Sequence, residues 1–298
     1  MAPLRKVGRL PKSVFRLTGP DLKRLACFMQ STSPVALTIA GSDSGGGAGI
    51  QADLKTFQFL GCFGTTAITA VTCQNTRGVS AVQGLAPDIV RAQIRDVLLD
   101  FPVAAAKTGM LYSAEIIQSV ALEWGEHGGN IPLVVDPVMV ATSGDRLLEA
   151  AGERALIDFL GRATLITPNL PEAEVILGRA ISPEPADMKE AACEIQKRHG
   201  AAVLLKGGHK TTGAEMIDVL VNGSESQFIV RPRIRTSNTH GTGCTLSAAI
   251  TAGLAKGESL ARSVSRARDY LQRALESAPA IGSGHGPLNH SPAEQPLP

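Results

Sequence analysis

From residue 35 to residue 275, short apolar runs alternate with apolar stripes at helical spacing, and this alternation narrows the possible folds more than any other feature. Runs at 35–40, 65–71, 104–107, 133–136, 165–167 and 203–206 are short and mostly aliphatic or β-branched, as strands buried on both faces require. Between the first two fall Ile50, Leu54 and Phe57. Pro87 then opens a helix with Val90, Ile94, Val97 and Phe101 on one face. Further helices are expected at 113–126, 154–160 and 171–177, and Met188, Ala191, Ala192 and Ile195 form a stripe that Gly200 ends. Residues 216–221 and 228–231 read as a hairpin. Leu246, Ile250 and Leu254 mark one late helix; Leu260, Val264, Ala267, Leu271 and Leu275 mark another. Such alternation predicts parallel βαβ units, hence an open, mostly parallel α/β sheet with helices on both faces.

Composition removes several function classes. Hydrophobic residues make up 44% of the chain, too many for one disordered throughout. The net charge of +2 hides an uneven distribution: residues 1–33 hold seven Lys and Arg against Asp21 alone. Removing them from totals of 29 basic and 27 acidic residues leaves 22 and 26. A slightly acidic body does not look like a nucleic-acid surface. The longest charge-free stretch, 56–76, carries six threonines with Gly61 and Gly64, so no membrane span is expected. Five cysteines (Cys27, Cys62, Cys73, Cys193, Cys244), odd in number and without a CxxC, favour a reducing, cytoplasmic setting over a disulfide framework. The segment 1–33, basic and broken by Gly and Pro, reads either as an unstructured extension or as an organelle transit peptide. The expected division is an extension at 1–33, one domain at 34–290 and a loose tail at 291–298.

Ligands of open α/β sheets bind at the carboxyl ends of strands, which directs attention to the residues just after each run. The glycine cluster 41–49 matches GxGxxG only loosely. It reads as a weak phosphate loop or as a tight strand-to-helix turn. Gly241, Thr242, Gly243 and Cys244 say more. Two glycines before a long apolar helix expose N–H groups at its positive end, an anion site unless this is an ordinary glycine-rich helix start. Cys244 in that first turn is expected to have a lowered thiol pKa, although a lone cysteine is by default a small buried hydrophobe. Asp136 and Glu172 offer the oxygens that hold Mg²⁺, often through water. Glu172 serves equally as a first-turn acid complementing a helix dipole. Lys206, ending an apolar strand, either snorkels or meets phosphate.

Taken together these segments resemble one family. Residues 36–43 (ALTIAGSD), 46–56 (GGAGIQADLKT), 74–76 (QNT), 107–111 (KTGML), 136–139 (DPVM), 167–173 (TPNLPEA), 206–209 (KGGH), 238–245 (NTHGTGCT) and 284–287 (GHGP) closely resemble the hydroxymethylpyrimidine/phosphomethylpyrimidine kinases. The match holds their order from about residue 35 to residue 290. The resemblance implies a ribokinase-like three-layer fold and a homodimer. It also implies ATP- and Mg²⁺-dependent phosphorylation of 4-amino-5-hydroxymethyl-2-methylpyrimidine to its monophosphate and diphosphate, in thiamine biosynthesis. Carried over by position, Gln74 reads the pyrimidine, with Gly41, Asp53 and Met110 around it. Asp136 and Glu172 serve the metal. Asn169, Lys206 and Thr239 serve ATP, and Cys244 is the catalytic group beside Gly241, Thr242 and Gly243. Two departures stand out: Ser44-Gly45 replaces a frequent Pro-Ser, and Thr142 a frequent lysine that would contact phosphate.

The implied chemistry makes the Cys244 thiolate the base that deprotonates the substrate hydroxyl, with His240 as the rival. Competing functions are a pyridoxal kinase of the same superfamily and a nucleotide-binding module without catalysis. A dinucleotide-dependent oxidoreductase fails for want of a clean GxGxxG fingerprint.

Overall fold

The computed structural model describes residues 33–139, 148, 150–208 and 213–293. Residues 1–32, Thr142, His209 and the final five residues of the tail lie outside the described residues. Nine strands form one sheet: β1 (Val35–Asp43), β2 (Phe63–Asn75), β3 (Gly78–Gly84), β4 (Val103–Thr108), β5 (Leu133–Val135), β6 (Leu165–Ile166), β7 (Ala202–Lys206), β8 (Glu215–Asn222) and β9 (Glu225–Pro232). Their order is β3-β2-β1-β4-β5-β6-β7-β8-β9. The six from β2 to β7 run parallel, flanked by antiparallel β3 on one edge and the β8–β9 hairpin on the other. The mostly parallel sheet expected from the alternation is therefore present. β3 was not anticipated.

The helices among the described residues are α1 (Gly49–Phe59), α2 (Pro87–Asp100), α3 (Ala114–His127), α4 (Ala150–Phe159), α5 (Leu170–Leu177), α6 (Pro185–His199), α7 (Thr242–Ala255) and α8 (Leu260–Glu276). Pro at the first or second position starts α2, α5 and α6, where a missing N–H costs nothing. Ser113 and Ser259 cap α3 and α8 through their side chains. Period-two alternation divides the core into two layers. Leu37 and Ile39 pack with Val90, Ile94, Ile116, Val120 and Trp124 on one side. Ala36 and Ala105 face Phe57 and Ala248 on the other, continued by Val134 and Leu204 against Leu246, Ile250 and Tyr270. Helices α2–α6 thus cover one face and α1, α7 and α8 the opposite one, giving three layers.

Two features of this frame make a site. The chain leaves β1 for β2 on one side and later for β4 on the other, so the strand order reverses there and opens a crevice above the carboxyl ends. The register of β1 against β2 also shifts between Ala40 and Ser42, a bulge that re-aims Ser42 and Asp43. This irregularity explains why β1 runs three residues past its apolar stretch.

Candidate active site

A cavity of about 730 Å³ lies above that crevice, walled by the ends of β1, β2, β4, β5, β6 and β7 and by the start of α7. Gly41, Gln74, Met110, Asp136, Asn169, Glu172, Lys206, Thr239, Gly241, Thr242, Gly243 and Cys244 all line it. The positions singled out in the sequence thus converge from six strand ends, with one exception discussed below.

The middle of the cavity is a cradle for negative charge. Gly241 precedes α7 with φ +83°, and a Cβ there would come within 1.9 Å of the Gly47 carbonyl oxygen, so only glycine fits. Thr245 N–H donates to Gly241 O (2.9 Å) and Thr242 N–H weakly to Thr239 O (3.3 Å). The N–H groups of Gly243 and Cys244 have no acceptor among the described residues, leaving two donors at the positive end of the helix. Opposite them, Asp136 Oδ1 accepts from Lys206 Nζ (3.0 Å) and Thr167 Oγ1 (2.9 Å), while Oδ2 faces Gly243. Desolvation opposes the charge on Lys206, but Asp136 and Glu172 outweigh it and hold its pKa above the ordinary lysine value. Asn169 and Glu172 form a reciprocal capping box at the start of α5: Glu172 N–H donates to Asn169 Oδ1 and Asn169 N–H to Glu172 Oε2, both 2.8 Å. Burial, aided by Asp136 and opposed by Lys206, pushes the Glu172 carboxyl up to about 7.

One end of the cavity is polar and built around Asp43. Its carboxylate accepts from the N–H groups of Gly45, Gly47 and Ala48 (2.8–2.9 Å) and from His240 Nε2–H (2.9 Å). Desolvation raises its pKa, yet these bonds prevail and hold it below the usual carboxylate range. The glycine cluster is therefore a turn whose amides serve the chain's own carboxylate, not a phosphate loop. The Gln74 amide lies 3.3 Å from His240 Nε2 and 3.2 Å from Thr72 Oγ1. Since the His240 proton goes to Asp43 and the Thr72 hydroxyl donates to Ser42 O (2.8 Å), neither proton is left for Gln74, and one amide orientation avoids setting N–H against N–H. The Gln74 oxygen faces His240 and its NH₂ faces Thr72. A lone pair and an N–H remain for a ligand. His240, buried and tied to Asp43, is badly placed to act as a base.

The other end is apolar, lined by Val175, Met216, Ile234, Leu271 and Leu275, with Arg268 beside them. Arg268 is buried against Asp218, whose Oδ1 accepts from Gly207 N–H at 3.0 Å. Sequence reasoning missed this end. Its apolar members look like ordinary core, and only Arg268, a charge on the buried stripe of α8, hinted at a site.

Two expectations need correction. Asp53 does not line the cavity: it is fully buried beneath it, accepting two hydrogen bonds from Lys107 Nζ (2.9 and 3.0 Å) and one from Thr38 Oγ1 (2.6 Å). Its position about one turn into α1 turns it toward the sheet instead of the crevice. Nor is the Cys244 thiol lowered: desolvation pushes it up to about 11, against Lys107 and the N–H of Gly49 and with Asp53 and Asp136. The helix end does not compensate for that burial.

The geometry can be set beside known proteins. Residues 43–289 match the family described as phosphomethylpyrimidine kinase. The chain is 50% identical over 259 residues to a hydroxymethylpyrimidine/phosphomethylpyrimidine kinase of Rhizobium meliloti, covering 86% of this chain and 96% of that one. The chain belongs to the phosphomethylpyrimidine kinase family. It is also 48% identical to a hydroxymethylpyrimidine/phosphomethylpyrimidine kinase of Bacillus subtilis, over 86% of this chain and 94% of that protein. With a thiamine biosynthesis bifunctional protein of Geobacter sulfurreducens it shares 48% identity over 85% of its own length, spanning 51% of that larger protein. Among solved structures it is similar to phosphomethylpyrimidine kinase from Clostridium difficile (TM-score 0.72, 42% identity, 81% of this chain and 99% of that one). It is likewise similar to an ADP complex of Bacillus subtilis pyridoxal kinase (TM-score 0.80, 37% identity, 88% and 98%). The three-layer frame of this family is thus the fold seen here, and the chain is a kinase. No helix among the described residues is long and apolar enough to cross a membrane.

Proposed function

We propose that this kinase transfers the γ-phosphoryl group of ATP to the hydroxymethyl group of 4-amino-5-hydroxymethyl-2-methylpyrimidine, and then a second phosphoryl group to the resulting monophosphate. The observation that carries this reading is one cavity in which an uncommitted helix N-terminus separates a Gln74-lined polar end from an apolar end. Relatives named for this activity share 40–50% identity with the chain, against 34–37% for the pyridoxal kinase structures.

In this reading the nucleotide base occupies the apolar end and the pyrimidine ring the pocket of Gly41, Gln74 and Met110. A Cβ at Gly41 would overlap Met110 Cε at 2.4 Å, so the glycine keeps that wall open. Gln74 both donates to and accepts from the aminopyrimidine edge. The substrate hydroxyl lies beside Cys244. Its oxygen forms a bond to the γ-phosphorus as the bond from phosphorus to the ADP oxygen breaks, and Cys244 sulfur takes the hydroxyl proton. The amides of Gly243 and Cys244 with Lys206 hold the phosphoryl oxygens, the positioning and charge stabilisation that dominate phosphoryl transfer.

The residues present fit Mg²⁺. Asp136 Oδ2 and the Glu172 carboxylate are hard oxygen donors on the cavity wall and would hold a hydrated Mg²⁺, which needs one or two such groups. Bound there, the ion would neutralise phosphate charge. Glu172, poised near neutrality, gives up its proton at little cost when positive charge enters. Among the described residues the one cluster of three close ligand side chains, Glu123, Glu126 and His127 on α3, does not line the cavity.

The likeness to pyridoxal kinases supports a second reading, phosphorylation of pyridoxal in the same pocket. ADP release measured with each alcohol in parallel tests both. The proposal requires the pyrimidine to have the higher kcat/KM, and ATP binding without release of ADP in the presence of either alcohol refutes catalysis altogether.

A further inference from the structure

Residues 281–288 (IGSGHGPL) form a strap between the end of α8 and the polar end of the cavity. Successive strap amides converge on Thr76, the residue just past β2 and two beyond Gln74. Ser283 N–H and Gly284 N–H donate to Thr76 Oγ1 (3.2 Å each) and His285 N–H to Thr76 O (2.7 Å). Arg77 Nε–H adds a bond to Ser283 Oγ (2.7 Å). The approach is so close that a Cβ at Gly284 would lie 2.0 Å from Thr76 O. Beyond this grip the strap turns to His240, whose N–H donates to Gly286 O (3.2 Å) and which pairs with Pro287 as a parallel bridge. Buried Leu288 and Asn289 N–H, which donates to Ala274 O (3.1 Å) on α8, then hold the chain in the body.

These bonds close a ring. The Gln74 side chain meets the His240 ring at 3.3 Å, the His240 backbone meets the strap, and the strap returns to the end of β2 at Thr76. From the β1 side, Ser44 Oγ accepts from Gln74 N–H and donates to Gln74 O (2.8 Å each), so the strap supplies the restraint that Ser44 does not, toward His240. Thr76 itself is half-buried and does not line the cavity. We propose that Thr76 is a positioning residue for the acceptor substrate. It latches the strap so that Gln74 and His240 keep the spacing at which the Gln74 amide presents its free lone pair and N–H to the ring. The inference rests on Gln74 reading the pyrimidine, as proposed above. Hydrogen bonds weaken steeply as their geometry departs from linear, so a loosened wall weakens the hold on the alcohol. The nucleotide end lies across the cradle and shares none of these bonds.

The test is steady-state ADP release by the full-length enzyme, varying the pyrimidine at saturating ATP and then the reverse. Thr76→Val keeps the shape of the side chain and removes the acceptor of two amides. It should raise KM for the pyrimidine about fivefold or more and leave kcat and KM for ATP within about twofold of native. Thr76→Ser restores the oxygen and should return KM to within about twofold of native. Gly284→Ala pushes the strap off Thr76 from the other side and should reproduce the Thr76→Val pattern. A double-mutant cycle separates positioning from a general loss of packing. In a Gln74→Leu background, Thr76→Val should change the pyrimidine KM by less than about twofold, because the side chain through which it acts is gone. Native kinetics in Thr76→Val, or an undiminished effect in the Gln74→Leu background, overturns the inference while a raised KM in Gln74→Leu itself preserves the role of Gln74. If Gln74→Leu leaves the pyrimidine KM unchanged, that role falls and the inference with it.

Discussion

Replacing Cys244 by alanine should reveal a loss that depends steeply on pH. A thiol pushed up to about 11 is thiolate in about one molecule per thousand at pH 8, and in about one per ten at pH 10. A general base is worth up to about 10⁴-fold when fully in its active form. Scaled by those fractions, Cys244→Ala costs up to about tenfold in kcat at pH 8 and up to about a thousandfold at pH 10. The native rate should climb about tenfold per pH unit over this range, while the variant, without the thiolate, loses that slope. Coupled ADP-release kinetics at saturating ATP and pyrimidine, from pH 7 to 10, measure both enzymes directly. Equilibrium ATP binding should be alike in the two, because the amide of residue 244 is retained. A native-to-variant ratio that stays flat across this range would falsify the thiolate as the acting species. A native rate that levels off below pH 9 would show that the thiol ionises far more easily in the complex than in this structure.

Gln74→Leu should raise KM for the pyrimidine by a factor corresponding to about 1–3 kcal/mol and leave KM for ATP unchanged; the reverse pattern moves Gln74 to the nucleotide. Gly243→Ala puts a methyl 3.3 Å from Asp136 Oδ2 and 3.6 Å from Lys206 Nζ, in the space of the phosphoryl group. Turnover should fall at least about tenfold while the melting temperature holds or rises, since alanine favours a helix by about 1 kcal/mol over glycine; a fully active variant refutes the cradle. His290 is buried against Thr245 (3.1 Å), and desolvation, with Lys55, lowers its pKa to about 4. The unfolded chain therefore binds this proton first as pH falls from about 6.5, and roughly 3 kcal/mol of stability drains away by pH 4. The melting temperature of His290→Gln should fall less over that window than that of the native enzyme, and parallel curves would exclude the linkage.

The parallel strands were legible because burial on both faces leaves continuous aliphatic runs, as in Val203, Leu204 and Leu205. β3 was not, because its residues Gly78, Val79, Ser80 and Ala81 line a solvent-facing edge that imposes no hydrophobic pattern. Cavity-lining positions fixed by chain direction were legible, since strand ends announce themselves by a change from apolar to Gly, Pro and polar residues. Properties arising from several distant segments were beyond the sequence. The fate of Asp53 depends on Lys107, fifty-four residues away, and the ionisation of Cys244 on both. The Gly45–Ala48 amides looked free for phosphate because nothing local shows that Asp43 turns back to take them.

The polar end of the cavity is closed from behind by a stretch late in the domain. His285 N–H donates to Thr76 O (2.7 Å), His240 N–H to Gly286 O (3.2 Å), and Tyr270 Oη–H to His290 O (2.8 Å). Lys206 and the Gly243 and Cys244 amides, proposed here to hold the phosphoryl oxygens, and Asp136, proposed to hold the metal, all precede this stretch in chain order. On that proposed assignment, a ribosome releases the nucleotide half of the pocket before the residues that brace its other wall. For that interval the emerging polypeptide has a cradle for triphosphate and no finished seat for the alcohol. Synthesis from one end thus assembles the donor site first and the acceptor site last.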